Sequence, residues 1–352
     1  MSLLIVQIQY GDAREPDLKP IVHQTGQVQC YNTAGRQIDC AGTGQDGAYG
    51  YGVAWPQPRF ETISGSVVDH LTHLMWSRDA NPAGYPLTWP EALRFIESLC
   101  QQKYLGYDDW RPPNRRELRS LISHQAKNPA LPGGHPFANV LLGWYWTSTT
   151  AAISPAYAWY VHAEGGRMFY GGKGQPFLVW PVRGACGDSL AATGQGGCYD
   201  AQGADIPCTG SGQDGEHRLG RRWQTGRFET PGDVVRDALT GLVWWRQADM
   251  TGERVRWQQA LDFALAFNSE NDSYTDWRLP NINELESLVD CGTSRPALPR
   301  NHPFSDVKDG YWSSTTSYFE TDWAWALYMD KGAIGVGQKK DPHFYVWLVA
   351  GP

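Results

Sequence analysis

Glu117 and Glu284 occupy the same place in two near-identical decapeptides, DWRPPNRREL (Asp109–Leu118) and DWRLPNINEL (Asp276–Leu285). A carboxylate at a fixed position is one way to build a general acid or base. Each glutamate, though, follows an asparagine (Asn114, Asn281) by three residues. That is the spacing of a capping box at the start of a helix, and it explains the glutamates without chemistry. Asp46 and Asp214, each in a GQDG stretch, offer oxygens of the kind calcium takes, yet Gly-Gln-Asp-Gly is also ordinary turn chemistry. His135 and His302, each in an HPF tripeptide, have no second ligand at helical or hairpin spacing and read as structural. No GxSxG, HExxH, P-loop or dinucleotide fingerprint occurs. The expectation is a protein without catalysis, cofactor or metal.

The seven cysteines carry a different chemistry. Cys30 and Cys40 recur as Cys198 and Cys208 at identical spacing, with no CxxC and no flanking histidine to suit zinc. The pattern predicts two short disulfides, Cys30–Cys40 and Cys198–Cys208. Closing such a loop stabilises by roughly 3 kcal/mol in the chain-entropy account. Disulfides persist in oxidising compartments, so the chain is expected to be exported, to periplasm, cell surface or medium. Cys100, Cys186 and Cys291 receive no assigned pairing.

The elements that position these residues come twice. TGQVQCYNTAGRQIDCAGTGQDG (Thr25–Gly47) aligns without gaps on TGQGGCYDAQGADIPCTGSGQDG (Thr193–Gly215). PALPGGHPF (Pro129–Phe137) matches PALPRNHPF (Pro296–Phe304), and YWTSTT (Tyr145–Thr150) matches YWSSTT (Tyr311–Thr316). VWPVRG (Val179–Gly184) and VWLVAG (Val346–Gly351) close the copies. A period this long means duplicated domains, expected over 1–184, with a strand at its N-terminus, and 185–352. Within each, TWPEALRFIESLC (Thr88–Cys100) and its counterpart from Trp257 show apolar residues at helical intervals. The decapeptide opens a second helix, with Leu118, Leu121 and Ile122, or Leu285, Leu288 and Val289, facing inward. Aromatic and β-branched runs broken by glycine follow and predict antiparallel hairpins. The fold class is therefore α+β. Fourteen of the 17 tryptophans recur in both copies and read as core; Trp144, Trp245 and Trp323 do not recur.

A formal charge of −7 and a pI near 5.7 go with no concentrated basic face, which argues against a nucleic-acid partner. The pairs Arg115–Arg116 and Arg221–Arg222 read as solvated surface. No run of 18 apolar residues exists, so no transmembrane segment is expected. The opening MSLLIVQIQYGD, with Leu4, Val6 and Ile8 alternating, reads as a first strand and not a signal peptide.

The order of motifs, GQDG, DALTGLVWW (Asp237–Trp245), DWRLPNINEL with SLVD, YWSSTT and AWALYMDKG (Ala324–Gly332), resembles the bacterial Lcl C-terminal domain family. That resemblance implies two tandem C-type-lectin-like domains, each with two helices and antiparallel sheets, and a role in adhesion to sulfated polysaccharide at the cell surface. Two departures stand out: the closing strand keeps Arg183 in the first copy but has Ala350 in the second, and the Glu-Pro-Asn and Trp-Asn-Asp signatures of calcium-dependent lectins are missing. The formylglycine-generating enzymes of the wider fold use a cysteine pair late in the chain, and nothing after Cys291 supplies one.

The segments that differ most between copies, Ser154–Gln175 and Phe319–Asp341, are the expected ligand face, since binding surfaces are commonly variable loops on a constant scaffold. Rings beside cations there suit an acidic saccharide. Tyr157, Tyr160 and Arg167 in one copy, and Trp323, Tyr328 and Lys331 in the other, are the candidate ligand-binding residues. The partner expected is a polysaccharide or a surface protein. The rival reading is a structural component of a surface assembly, with an enzyme of the formylglycine-generating type third.

Overall fold

The computed structural model of the chain describes residues 20–270 and 276–351. The opening strand expected around Leu4, Val6 and Ile8 lies outside them. Each repeat begins with a two-stranded hairpin closed by its disulfide, then one helical turn. In the first repeat these are β1 (Cys30–Tyr31), β2 (Gln37–Ile38) and α1 (Asp46–Tyr49). A small sheet follows, of β3 (Phe60–Ile63), β4 (Ser66–Asp69) and β5 (Leu74–Ser77). Next come α2 (Trp89–Gln101) and α3 (Arg115–Ser120). The meander β6 (Trp144–Thr150), β7 (Tyr157–His162) and β8 (Met168–Gly172) leads to β9 (Val182–Arg183), which returns to pair with β5.

The second repeat runs in the same order: β10 (Cys198–Tyr199), β11 (Asp205–Ile206), α4 (Asp214–His217), β12 (Phe228–Glu229), β13 (Val234–Asp237) and β14 (Val243–Trp245). Then come α5 (Trp257–Glu270), α6 (Ile282–Ser287), β15 (Tyr311–Thr316), β16 (Trp323–Tyr328), β17 (Ala333–Gln338) and β18 (Val349–Ala350). The named strand pairs are all antiparallel, as the α+β class requires. Both disulfides are present, with sulfurs 2.06 and 2.11 Å apart.

The decapeptide builds a helix start. Asn114 Oδ1 accepts from the N–H groups of Arg116 and Glu117, both at 3.0 Å, and Glu117 accepts from Asn114 N–H at 2.8 Å. The glutamate also receives a two-pronged contact from Arg111, both nitrogens at 2.7 Å. Arg278 and Glu284 repeat that contact at 2.7 and 2.7 Å. Helix α2 has its own reciprocal cap, in which Glu91 accepts from the Thr88 N–H and hydroxyl. In α5, Gln259 accepts from Arg256 N–H, so half of that cap survives without the threonine. The recurrent tryptophans Trp76, Trp89, Trp146, Trp159 and Trp180, with their counterparts, are buried, as expected of core. Trp55 and Trp223 are half-buried beneath Arg59 and Arg227.

The two repeats are not closed against each other. Their meanders join edge to edge in one six-stranded sheet, β15-β16-β17-β8-β7-β6, through the pair Ile334 and Met168. A single buried cluster contains Trp76, Leu118 and Trp180 together with Trp244, Leu285 and Trp347. The expected boundary at 184/185 therefore marks the sequence repeat and not a packing unit. Helices α3 and α6 meet at this seam, and that overturns the solvated reading of Arg115 and Arg116. Arg115 and Arg116 are buried, with Arg119 beside them. Glu286 lies 3.5 Å from Arg115 and 3.3 Å from Arg119, while the Gly332, Val289 and Gly166 carbonyls each accept one bond, from Arg115, Arg116 and Arg119 in turn, at 2.7 Å.

The two GQDG segments lock the seam. Asp46 Oδ2 accepts from Thr25 at 2.7 Å within its own repeat and from Thr315 of the other at 2.8 Å. Asp214 does the same with Thr193 and Thr149, both at 2.7 Å. Gln27 clasps the backbone N–H and carbonyl of Thr316 at 2.8 Å each, and Gln195 clasps those of Thr150 at 2.7 Å each. Lys339 reaches the Tyr31 carbonyl at 3.0 Å, and Lys173 reaches the Tyr199 carbonyl at 3.1 Å. TGQ, GQDG and YW(S/T)STT are thus parts of one interlock, made twice. Both aspartates are spent on threonine hydroxyls. Burial pushes their carboxyls up to about 6.

Candidate functional site

In the second repeat, the end of β16, the β16–β17 turn and the loops before β15 and β18 enclose a cavity of about 340 Å³. Tyr328 and Phe344 form its apolar floor, their rings edge to face at 5.3 Å. Arg254, Lys331 and His343 bring cationic or protonatable groups to it. Lys331 Nζ sits 4.8 Å above the Tyr328 ring. Arg254 pairs with Asp309 at 2.6 Å, and Asp330 lies 3.9 Å from Lys331. Asp330 also lines the cavity, and its Oδ1 is buried with no hydrogen-bond partner among the described residues. Burial raises the Tyr328 hydroxyl above its ordinary value, and the nearby Arg167 charge acts the other way.

The cavity exists because the repeats differ in side-chain volume at one register. Tyr311 faces Leu327 in one repeat as Tyr145 faces Val161 in the other, so Gly310, Ala326 and Tyr328 stand where Trp144, Tyr160 and His162 stand. In the first repeat those rings fill the space: Trp144 lies 4.4 Å from Tyr160 and 4.3 Å from His162. In the second, a Cβ on Gly310 would come within 2.8 Å of Phe344. That glycine lets the Phe344 ring pack directly on the backbone, where the first repeat carries the Trp144 ring.

Of the six expected ligand residues, the structure brings Tyr328 and Lys331 into this cavity and places Arg167 near it. Arg167 bonds Glu320 of the other repeat at 3.1 Å. Tyr160 is committed to packing against Trp144, Trp146 and Phe177. Tyr157, exposed at the start of β7, lies edge to face with Tyr170 at 6.0 Å. Trp323 begins β16 opposite Gln338, at the far end of the strand from Tyr328. Arg254, His343 and Asp330 were not anticipated. Asp330 lies in the β16–β17 turn itself, while Arg254 comes from the loop before α5 and His343 from the loop before β18, outside the hairpin.

A larger, mostly apolar cavity of about 560 Å³ lies between α2 and the 198–217 segment. Its counterpart is narrowed by Leu265, which stands against Gly44 where the first repeat has Glu97. It is a seam feature whose charged groups, Arg94, Glu97, Arg111, Asp200, Glu216 and His217, are of mixed sign, with Arg111 committed to Glu117 and Glu216 to the Gly210 and Gly212 N–H groups. His135 and His302 stack near Phe137 and Phe304, at 5.9 Å in each case, as structural rings. Cys100, Cys186 and Cys291 are unpaired, the last two buried.

The fold and this cavity define a duplicated α+β protein with a ring- and charge-lined cavity in the second copy. The profile of the Lcl C-terminal domain family matches residues 65–183 and 233–350, about two thirds of the chain. The chain belongs to that family, twice over. No curated protein and no solved structure matches it. The matches begin in the first small sheet of each repeat, so both GQDG segments, quoted above with the resemblance, lie outside them. No described helix is long and apolar enough to cross a membrane.

Proposed function

We propose that the chain is a non-catalytic binding module of an exported bacterial protein, and that it holds an acidic or sulfated polysaccharide at the Tyr328 cavity. The observation that carries this reading is the pairing of an aromatic floor with Arg254, Lys331 and His343 in one repeat, at a place the other repeat fills with tryptophan. Ring faces take the apolar side of a sugar, and cations take its sulfate or carboxylate. The two disulfides fit an oxidising compartment. The absence of catalysis is supported by the fate of the carboxylates: Glu117 and Glu284 are held by arginines, Asp46 and Asp214 by threonines.

Binding to immobilised heparin, chondroitin sulfate and dextran at low and moderate salt tests the reading. The sulfated polymers bind, dextran does not, and binding falls with salt. Lys331→Ala and Arg254→Ala each weaken binding severalfold with Tm unchanged. Affinity unchanged in both variants moves the site elsewhere. Failure of every polymer to bind favours the structural-component reading.

A further inference from the structure

The Tyr328 cavity is not the only place where the repeats differ in volume. In the first repeat, Gln125 Oε1 accepts from two successive backbone N–H groups, Val28 at 2.9 Å and Gln29 at 3.0 Å. Its Nε2 donates to Gln29 Oε1 at 2.9 Å, and Tyr31 donates its hydroxyl to that same oxygen. The Tyr318 ring stands beside Tyr31 at 6.4 Å. Two carboxamides and a ring close this corner of the seam.

The equivalent corner around Tyr199 lacks all three groups. The alignment puts Gly292 in place of Gln125, Gly197 in place of Gln29 and Ala152 in place of Tyr318. What remains is a cavity of about 440 Å³ lined by those three residues with Gly196, Tyr199 and Arg300, among others. The backbone around it is held as in the first repeat. Cys291 N–H donates to the Thr193 carbonyl at 2.8 Å, as His124 N–H donates to that of Thr25 at 2.9 Å. The N–H groups of Gly196 and Gly197, counterparts of the pair that grips Gln125, have no partner among the described residues. Tyr199 has moved in, and a Cβ on Gly197 would stand 2.6 Å from its hydroxyl. Arg300 stands where the first repeat has Gly133. The corner has lost two acceptor oxygens, kept three donors and gained a guanidinium.

We propose that this corner is a second binding site, a cradle for the carboxylate of a small ligand. One carboxylate oxygen takes the position of Gln125 Oε1 against the Gly196 and Gly197 N–H groups. The other faces the Tyr199 hydroxyl, with Arg300 supplying the opposite charge. Two oxygens on one carbon replace the two oxygens the repeat has lost, which a single neutral carbonyl does not do. Asp290 also lines the cavity; its Oδ1 is already held by Gly292 N–H at 2.8 Å, and Arg116, Arg227 and Arg300 oppose its charge. Charge-assisted bonds to paired N–H groups outweigh neutral ones about twofold, so the carboxylate is favoured over its amide.

The test is a titration of ¹⁵N-labelled protein with glucuronate and with N-acetyl-alanyl-alanine, one carboxylate borne on a sugar acid and the other on a peptide end. Their neutral methyl esters and acetamide serve as controls. At least one carboxylate moves the Gly196 and Gly197 amide proton signals downfield, and the stronger of the two identifies the source. Gly292→Gln restores the first repeat's plug at an exposed position and weakens the response roughly tenfold or more, because its own amide oxygen takes both N–H groups. Arg300→Gly weakens it as well, while Lys331→Ala leaves it unchanged, which separates this site from the Tyr328 cavity. The proposal is overturned if neither carboxylate moves those two amides, if Gly292→Gln responds like the native chain, or if the ester or acetamide binds as well as the acid.

Discussion

Replacing Asp46 by asparagine keeps the shape and the acceptor oxygen of the interlock but removes its charge. The native carboxyl is buried between Thr25 and Thr315, and burial raises it from 3.8 to about 6. Two hydroxyl bonds offset only part of what the charged form loses by leaving water. Between pH 4 and 6 the folded chain therefore holds a proton that the unfolded chain has released, and stability falls as pH rises through that window. Above 6 both states are ionised and this loss is complete. A shift of roughly two units corresponds to about 3 kcal/mol for one carboxyl. Urea unfolding of the oxidised protein at pH 4 and pH 8 reads the difference. Asp46→Asn matches the native chain within about 1 kcal/mol at pH 4 and exceeds it by up to about 3 kcal/mol at pH 8. Asp214, raised to about 6 between Thr193 and Thr149, gives the same result. Asp46→Ala is the contrast: two buried hydroxyls lose their acceptor, and stability drops by about 1–3 kcal/mol at acid pH. Equal pH slopes for native and Asp46→Asn protein between 4 and 6 would refute the reasoning, because the charged form would then be as well solvated inside the seam as in water.

The shared sheet and common buried cluster predict one calorimetric unfolding transition for both repeats; two resolved transitions would show that each repeat is cooperative alone. Glu286→Gln leaves two buried guanidiniums, Arg115 and Arg119, without their carboxylate at the seam and lowers stability by about 3 kcal/mol or more, read as a fall in the urea midpoint at unchanged slope. Cys198→Ser with Cys208→Ser opens one short loop and lowers stability by roughly 3 kcal/mol. No loss on removing that disulfide would mean that the hairpin is fully held by Lys173 and the Asp214 interlock.

The amino-acid sequence by itself determined the duplication, the capped helices, both disulfides, the α+β class and the burial of six of the seven recurring tryptophan pairs. These are local or periodic features: Asn114 and Glu117 cap a helix over three residues, and Trp89 and Ile96 fall on one helical face whatever they pack against. Only the tertiary structure decided what covers what. The TGQ, GQDG and STT motifs were visible as matched text, but Thr315 reaches Asp46 across 269 positions. A duplicated chain presents the same surfaces twice, so a pattern that fits its own repeat fits the other equally well, and sequence contains no preference between them. Arg115 and Arg116 failed as surface residues for the same reason, since the second repeat supplies the Glu286 carboxylate and the Gly332 and Val289 carbonyls that bury them. The candidate site follows suit. Tyr328 and Lys331 were legible as a ring and a cation in a variable hairpin, while Arg254 and His343 join them only through loops brought together by sheet register. Gly310 against Trp144 and Gly292 against Gln125 can be read from the alignment as differences in volume. Whether neighbours collapse into such a difference or leave it open depends on close packing in three dimensions, and here the backbone bonds on either side hold it open.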